Sequence, residues 1–451
     1  MSCPSEPARS RWRRASYERQ TIASARVQGD AKHGAAPSGG EAAVRHDAVT
    51  WLDFRADDLA RARDFIRSLQ EEGVIDELGF LALLGRFSDL LHPATTTLMR
   101  SARYFCFIAG IYRSLEREGV RASQIPHLSR QRQDELRDVL SDTETVGVIG
   151  RDAGINLRQF PSQIYWSGLK KLGMFTSNLS ESAYQEQFDD IRRSRRGYQD
   201  DDKTPQGPEG VRFWSDDLPP ASFLDSDGRI RPGATFKLTR AEASDLHKRF
   251  TSRFSESLLS HMLKHRLIGI DWPWECPKLP ESLAVWVWHA RNMSLLVRGA
   301  TLQYYSLLME ERDKLRIEED TDLVAPIFND WWIAAKEPLK KWRTSEFVTV
   351  PTVASALRLG NRGDRWFIDG WLERCVAAST AEALLRDEKA RHLIRERERR
   401  VKPAKARLKY EKHLRQWKPD RVGEGIYQFD YRHSIGSRFV SEILDGMERG
   451  Q

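Results

Sequence analysis

Only four cysteines occur in 451 residues, at positions 3, 106, 276 and 375, with no CxxC pair and no spacing that marks a disulfide framework or a thiolate metal clamp. Such scatter predicts free thiols and a cytoplasmic protein. Long apolar runs are lacking too. The best of them, Tyr104 to Tyr112, is far shorter than the roughly 18 to 20 residues a membrane-spanning helix requires. The basic N-terminus has no apolar segment of the kind a secretory signal carries, so no membrane partner is expected. Chemical motifs are equally scarce. There is no GxxxxGK[ST] loop to cradle phosphates, no GxGxxG behind a strand and no GxSxG elbow to present a serine. Runs of β-branched residues alternating with helices are almost missing, which excludes the parallel sheet of a dehydrogenase or methyltransferase. No cofactor is expected, and no residue is assigned a catalytic role.

What is present is a folded, basic, helix-forming chain. The hydrophobic share is 40%, with 14 Trp and 19 Phe, which is globular rather than disordered composition. The formal charge of +7 favours polyanions as partners. The pattern along the chain predicts a mainly α, multi-domain helical protein. Residues 1–47 read as a disordered basic tail, 48–180 as an N-terminal helical domain, and 181–235 as a polar insertion or linker. Residues 236–345 read as a central helical domain, and 346–451 as a C-terminal helical domain with a basic helix.

Several elements are legible in advance. Leu59, Phe65, Ile66 and Leu69 share one face of a helix, and Val74 to Ser88 continues in helical spacing. The threonines 95–97 are placed to cap a helix in which Met99, Tyr104, Phe107, Ile108, Ile111 and Leu115 point inward. Thr239 and Glu242 form a capping-box pattern ahead of Leu246 and Phe250. The stretch around Met293 to Leu308 is apolar on more than one side, which predicts a long central helix. Pro403 should interrupt the basic helix.

The most sharply punctuated stretch runs from Gly147 to Phe175. Pro161 and Ser162 open a helix and Gly173 closes it. Tyr165, Leu169 and Leu172 make one apolar stripe, while Gln163, Lys170 and Lys171 point elsewhere. With Ile149 to Leu157 as a short first helix and Met174 to Asn178 as a wing strand, residues 147–178 read as a winged-helix-like unit. Two readings stay open: a DNA reader with Arg151, Arg158, Lys170 and Lys171 near its recognition helix, or an ordinary helical hairpin with solvated lysines, the commoner arrangement.

The strings Trp51-Leu52-Asp53-Phe54, Asp76-Glu77-Leu78-Gly79, Phe87-Ser88-Asp89 with His92-Pro93 and the Thr run, Ala102-Arg103-Tyr104-Phe105, Gly147-Val148-Ile149-Gly150-Arg151 and Pro161-Ser162-Gln163-Ile164-Tyr165-Trp166 together resemble an uncharacterised bacterial domain-of-unknown-function family. The resemblance covers roughly residues 50–175, and more loosely Asn292 to Tyr305 and Arg395 to Trp417. It implies no activity. It does imply a neighbourhood of DNA-modification, helicase and ATPase genes of phage-defence type. Ala94 departs from the family pattern, which carries Gly after the His-Pro step.

The strongest electrostatic signal lies near the C-terminus. Residues 386–421 hold fifteen Lys or Arg against six Asp or Glu, an excess larger than the net charge of the whole chain. Arg395, Arg399, Arg400, Lys402, Lys405 and Arg407 are the candidate phosphate contacts, and a solvated helix or an acidic protein partner are the alternatives. Three weaker features complete the survey. His261 and His265 have the i,i+4 spacing of metal ligands but no third ligand nearby, so no metal site is assigned. Asp387-Glu388-Lys389 has the residue types of a magnesium nuclease in a helix-forming run. Trp272, Trp274, Trp286 and Trp288 offer base stacking, with core packing the commoner use. The sequence therefore points to a non-enzymatic DNA-associated accessory subunit of a bacterial antiviral-defence or DNA-modification system, joined by other subunits of that complex. A protein–protein adaptor in the same kind of assembly and a metal-dependent nuclease with an unrecognised site are the rivals.

Overall fold

Two long buried helices organise the fold, and both are apolar nearly all round. In the computed structural model, which describes residues 76–153, 157, 159–197, 212–317, 324–349, 364–417 and 428–449, the first is α2. The order begins with α1 (Leu81–Leu91), α2 (Arg103–Glu118), α3 (Ile125–Thr143), α4 (Pro161–Lys171), α5 (Glu181–Glu186) and α6 (Phe188–Gly197). It continues with α7 (Arg240–Arg253), α8 (Leu258–Lys264), α9 (Glu281–Lys314) and α10 (Val324–Lys341). The last are α11 (Arg365–Ala377), α12 (Ala381–Arg386), α13 (Glu388–Val401), α14 (Glu411–Arg415) and α15 (His433–Glu448). All described residues belong to the compact unit Arg55–Gln451. The helix expected over Leu59 to Leu69 lies outside the described residues.

The mainly α class holds. Among the described residues, strand pairing is limited to two isolated antiparallel bridges, Phe175–Trp214 and Leu224–Ile230. No helix among them is long and apolar enough to cross a membrane.

All but three of the sixteen residues of α2 are buried, so this helix has neighbours on every side. It packs on α3, α4 and α6. Its N-terminus is not capped by the threonines 95–97. Instead Glu442 on α15 accepts the Ala102 backbone N–H at 2.6 Å and the Ser101 hydroxyl at 2.9 Å, a cap supplied from 340 residues away. Thr95 turns its hydroxyl back onto the His92 carbonyl at 2.6 Å. Ala94 has φ 59, a left-handed conformation that glycine adopts without strain, which gives the departure from the family pattern a physical meaning.

The second organising helix, α9, is the expected long central one. It packs on α1, α10, α11, α13 and α14. The Trp331 and Trp371 indoles donate to the Leu295 and Leu296 carbonyls on α9 at 2.8 and 3.1 Å, so these buried aromatics bring their polar atom to a partner. Helix α15 packs on α7 and α8, and a buried ion pair ties α2 to α7. Arg103 of α2 donates to Glu242 of α7 at 3.0 Å, and the same carboxylate closes the capping box with Thr239.

The short first helix expected at 149–157 is not formed over its described residues. Residues 149–153 make turns, because Gly147 and Gly150 stand at φ 86 and 85 and cannot continue a right-handed helix. The segment Met174 to Asn178 makes one isolated bridge, Phe175–Trp214, in which the Thr176 N–H donates to the Phe213 carbonyl and the Met174 carbonyl accepts the Ser215 N–H, so of the winged-helix-like unit only helix α4 is formed among the described residues.

Candidate nucleic-acid interface

Asp387 caps α13 by accepting the Lys389 and Ala390 N–H groups at 2.8 and 3.2 Å, which accounts for the acid ahead of Glu388 and Lys389 without a metal. The helix ends at Val401, two residues before Pro403, as the missing N–H of proline requires. One face of α13 turns inward, with Ala390, Ile394, Arg397 and Glu398 buried, and packs on α9, α11 and α12.

Five basic side chains of this segment meet carboxylates from distant parts of the chain, and others pair within a turn. Arg391 pairs with Glu310, and Arg395 donates to Glu311 at 2.9 Å. Arg397, 2% exposed, donates to the Leu78 carbonyl at 2.7 Å and the Gly79 carbonyl at 3.1 Å, and pairs with Asp364. Its guanidinium lies 4.5 Å from the Phe80 ring centroid and 5.6 Å from that of Phe367. Arg399 and Arg400 share Glu396 at 2.8 and 2.7 Å, and their hydrogen bonds pull that carboxyl down to about 2. Arg400 also lies 4.2 Å over Trp366.

Lys402 and Arg407 both close on the buried Glu77. Beside them the buried Glu398 accepts the Tyr304 hydroxyl at 2.6 Å and the Arg407 and Leu408 backbone N–H groups at 2.8 and 3.0 Å. Burial next to Glu398 and Glu77 drives the Tyr304 hydroxyl well above its ordinary range and keeps it a donor.

Arg386, Arg399 and Arg400 are exposed but held by Glu382 and Glu396 within a turn. Lys389, Lys405, Lys409 and Lys412 are exposed and have no carboxylate within ion-pair distance among the described residues. Lys409 sits 4.9 Å over the ring of Tyr410, one of the few exposed large hydrophobic side chains. Arg415 is held by Glu411.

The candidate residues of the first half are placed elsewhere. Helix α4 buries Pro161, Ser162, Ile164, Tyr165, Trp166, Gly168 and Leu169 against α2 and α5, leaving Gln163 and Lys171 exposed. At its C-terminus Lys170 reaches the Asn178 carbonyl at 3.4 Å and Lys171 lies 3.6 Å from Asp89. Arg151 donates to the Ser141, Glu144 and Thr145 carbonyls and so finishes α3. Arg158 lies outside the described residues. Lys170 and Lys171 thus belong to a helix seated on α2, whereas Arg395 to Arg407 follow a helix seated on α9.

A polar cavity of about 140 Å³ opens beside the start of α4, lined in part by Arg130, Gln133, Ser162, Glu181 and Gln185. Its walls satisfy one another: Tyr112 donates to Glu181 at 2.6 Å, Gln185 donates to Tyr112 at 2.8 Å, and Gln133 accepts the Ser162 N–H at 2.8 Å. Elsewhere the rings of His261 and His265 lie 4.5 Å apart, with His261 against the Pro277 carbonyl. Trp272 and Trp274 stack on each other at 4.9 Å. No three His, Cys, Asp or Glu side chains among the described residues form a group able to hold a metal ion.

The sequence missed the carboxylates that matter most here, Glu77, Glu310, Glu311 and Asp364. Nothing in their spacing announces a partner 33 to 330 residues away. No curated protein and no solved structure matches this chain. A family model described as a family of unknown function (DUF6361) matches residues 47–447, and the chain belongs to that family.

Proposed function

We propose that this chain is a non-enzymatic adaptor subunit of a bacterial antiviral-defence or DNA-modification assembly, and that its exposed basic face takes an acidic segment of a partner protein. The observation that carries this reading is the use made of the basic helix. Arg391, Arg395, Arg397, Lys402 and Arg407 are engaged by Glu310, Glu311, Asp364 and Glu77, so they hold the fold together. The exposed cations without a carboxylate partner among the described residues are Lys389, Lys405, Lys409 and Lys412, the last three within a stretch that also holds Tyr410. Four phosphate contacts supply a salt slope of only about −4, a weak basis for holding a duplex. Three exposed lysines within eight residues, one of them over an exposed aromatic ring, suit a short acidic, aromatic-bearing peptide.

The test is co-expression of the full chain with the products of its neighbouring genes, followed by co-purification at moderate salt. A stable complex that is lost on replacing Lys405, Lys409 and Lys412 together by Glu, with helicity unchanged, is expected. A complex indifferent to that replacement contradicts the reading.

Association with DNA or another nucleic acid is the second reading. The exposed Tyr410 beneath Lys409 favours it, since an aromatic flanked by lysines offers a stacking surface to an unpaired base. Binding of single-stranded DNA that exceeds binding of duplex and falls with Tyr410→Ala distinguishes it.

A further inference from the structure

The imidazoles of His92 and His433 meet in the interior, 0% and 1% exposed, where the turn after α1 faces the start of α15. His92 Nδ1 lies 2.9 Å from the Tyr431 carbonyl oxygen, and His433 Nε2 lies 3.0 Å from the Ile270 carbonyl oxygen. Between the rings, His433 Nδ1 and His92 Nε2 are 3.1 Å apart. A carbonyl oxygen only accepts, so both outer nitrogens must carry hydrogen. The inner contact needs one more. Three hydrogen bonds on four ring nitrogens require three protons, and two neutral imidazoles hold two.

We propose that His92 and His433 share one buried extra proton and form a pH-sensitive latch joining the His92 turn, the 266–271 loop and the start of α15. In the latched state His433 is an imidazolium that donates at both nitrogens, and His92 is its neutral acceptor. Burial, followed by the neighbouring His433 and Arg432, holds His92 well below the ordinary histidine range, consistent with that neutral role. When the proton leaves, two bare nitrogens face each other, or one carbonyl loses its donor.

The surroundings fix the rings and leave the proton as the variable. From the α1 side, Asp89 accepts from Arg432 at 2.9 Å, and the same guanidinium donates to the Thr95 carbonyl at 2.8 Å. From the α15 side, Asp430 caps the helix by accepting the Arg432 and Ser434 N–H groups. From α9, the Ala290 carbonyl accepts the Tyr431 hydroxyl at 2.6 Å. In the loop, Asp271 follows Ile270, and Ile268 stands 59% exposed. Tyr431 and Arg432 sit at φ 56 and 62, a strained pair at the joint itself. Gly436 leaves room for the His92 ring, since a Cβ there would come within 2.2 Å of His92 Cδ2.

Outer N–H groups tied to carbonyls with inner nitrogens converging also describe a pair of metal ligands. Among the described residues no group of three His, Cys, Asp or Glu side chains could hold a metal ion, which favours the proton.

Long-range ¹H–¹⁵N spectra of the histidine-labelled full chain test the idea directly. At pH 5.5 His433 should show two protonated nitrogens and His92 a single Nδ1–H, with one proton lost from the pair by pH 9. Two neutral rings unchanged from pH 5.5 to 9 overturn the proposal. The share of His433, which holds its proton more tightly folded than unfolded, is fully present below the ordinary histidine value of about 6.5 and is lost as pH rises through the latch's own value, whereas the buried neutral His92 lowers stability below about 6.5. His433→Gln should therefore lower Tm more at pH 5.5 than at pH 8.5, and an equal loss at both contradicts the latch. Should that variant not fold, the wild-type spectra decide. One equivalent of zinc in the purified chain, with Tm falling on chelation, would replace the proton by a metal and overturn the assignment.

Discussion

Arg397→Met isolates the part that the basic segment plays in the fold. The side chains are similar in length, and methionine keeps the apolar stem between Phe80 and Phe367 while removing every donor. Two buried carbonyls, of Leu78 and Gly79, then lose their partner, and Asp364 loses its counter-ion. Breaking a buried pair by deleting one member costs about 3 to 5 kcal/mol, a large part of the roughly 5 to 15 kcal/mol that holds a typical protein folded. Arg397→Lys retains the charge but not the planar fork, and should lose about half as much. Urea denaturation followed by far-UV circular dichroism measures both. A loss below about 1 kcal/mol for Arg397→Met is what an exposed site gives, and it would refute the argument that this arginine is structural.

Further outcomes follow from the same contacts. The Glu442 carboxyl, buried at the start of α2, is pushed up to about 7 from its ordinary 4.5, so the fold binds its proton more tightly than the unfolded chain and stability declines as pH rises across that interval. Glu442→Gln should match the wild type near pH 4.5 and exceed it at pH 8 by up to about 3 kcal/mol in thermal or urea unfolding; a variant less stable at pH 8 contradicts this. Thr239→Ala removes the acceptor of the Glu242 N–H and should cost about 1 kcal/mol, whereas Thr239→Ser should cost little. Gly436→Ala forces a methyl into the His92 ring and should cost about 1 to 3 kcal/mol, with the His92 ring resonances displaced.

Much of the helical framework was legible in the sequence because local rules set it. The capping box at Thr239 and Glu242, the opening of α4 at Pro161, the stop before Pro403 and the all-round apolar character of α9 each follow from residues within one or two turns. The cap on α2 was misread, since its acceptor comes from Glu442 and not from the nearby threonines. That error shares a cause with the reading of the basic helix: local spacing was read along the chain, while the partners are supplied across the fold. Glu77 answers Lys402 and Arg407 over more than 320 residues, and no periodicity encodes that. His92 and His433, 341 residues apart, are invisible for the same reason.

The salt dependence of binding to a short DNA duplex bears most directly on the claim that the cations of the basic segment are largely engaged by carboxylates, leaving Lys389, Lys405, Lys409 and Lys412 outward and unpaired among the described residues. Four available contacts predict a slope of log K against log salt no steeper than about −4. A slope of about −5 or steeper, implying six or more released counterions, would mean that the cations now assigned to Glu77, Glu310, Glu311 and Glu396 are free to hold phosphate, and the account would be wrong.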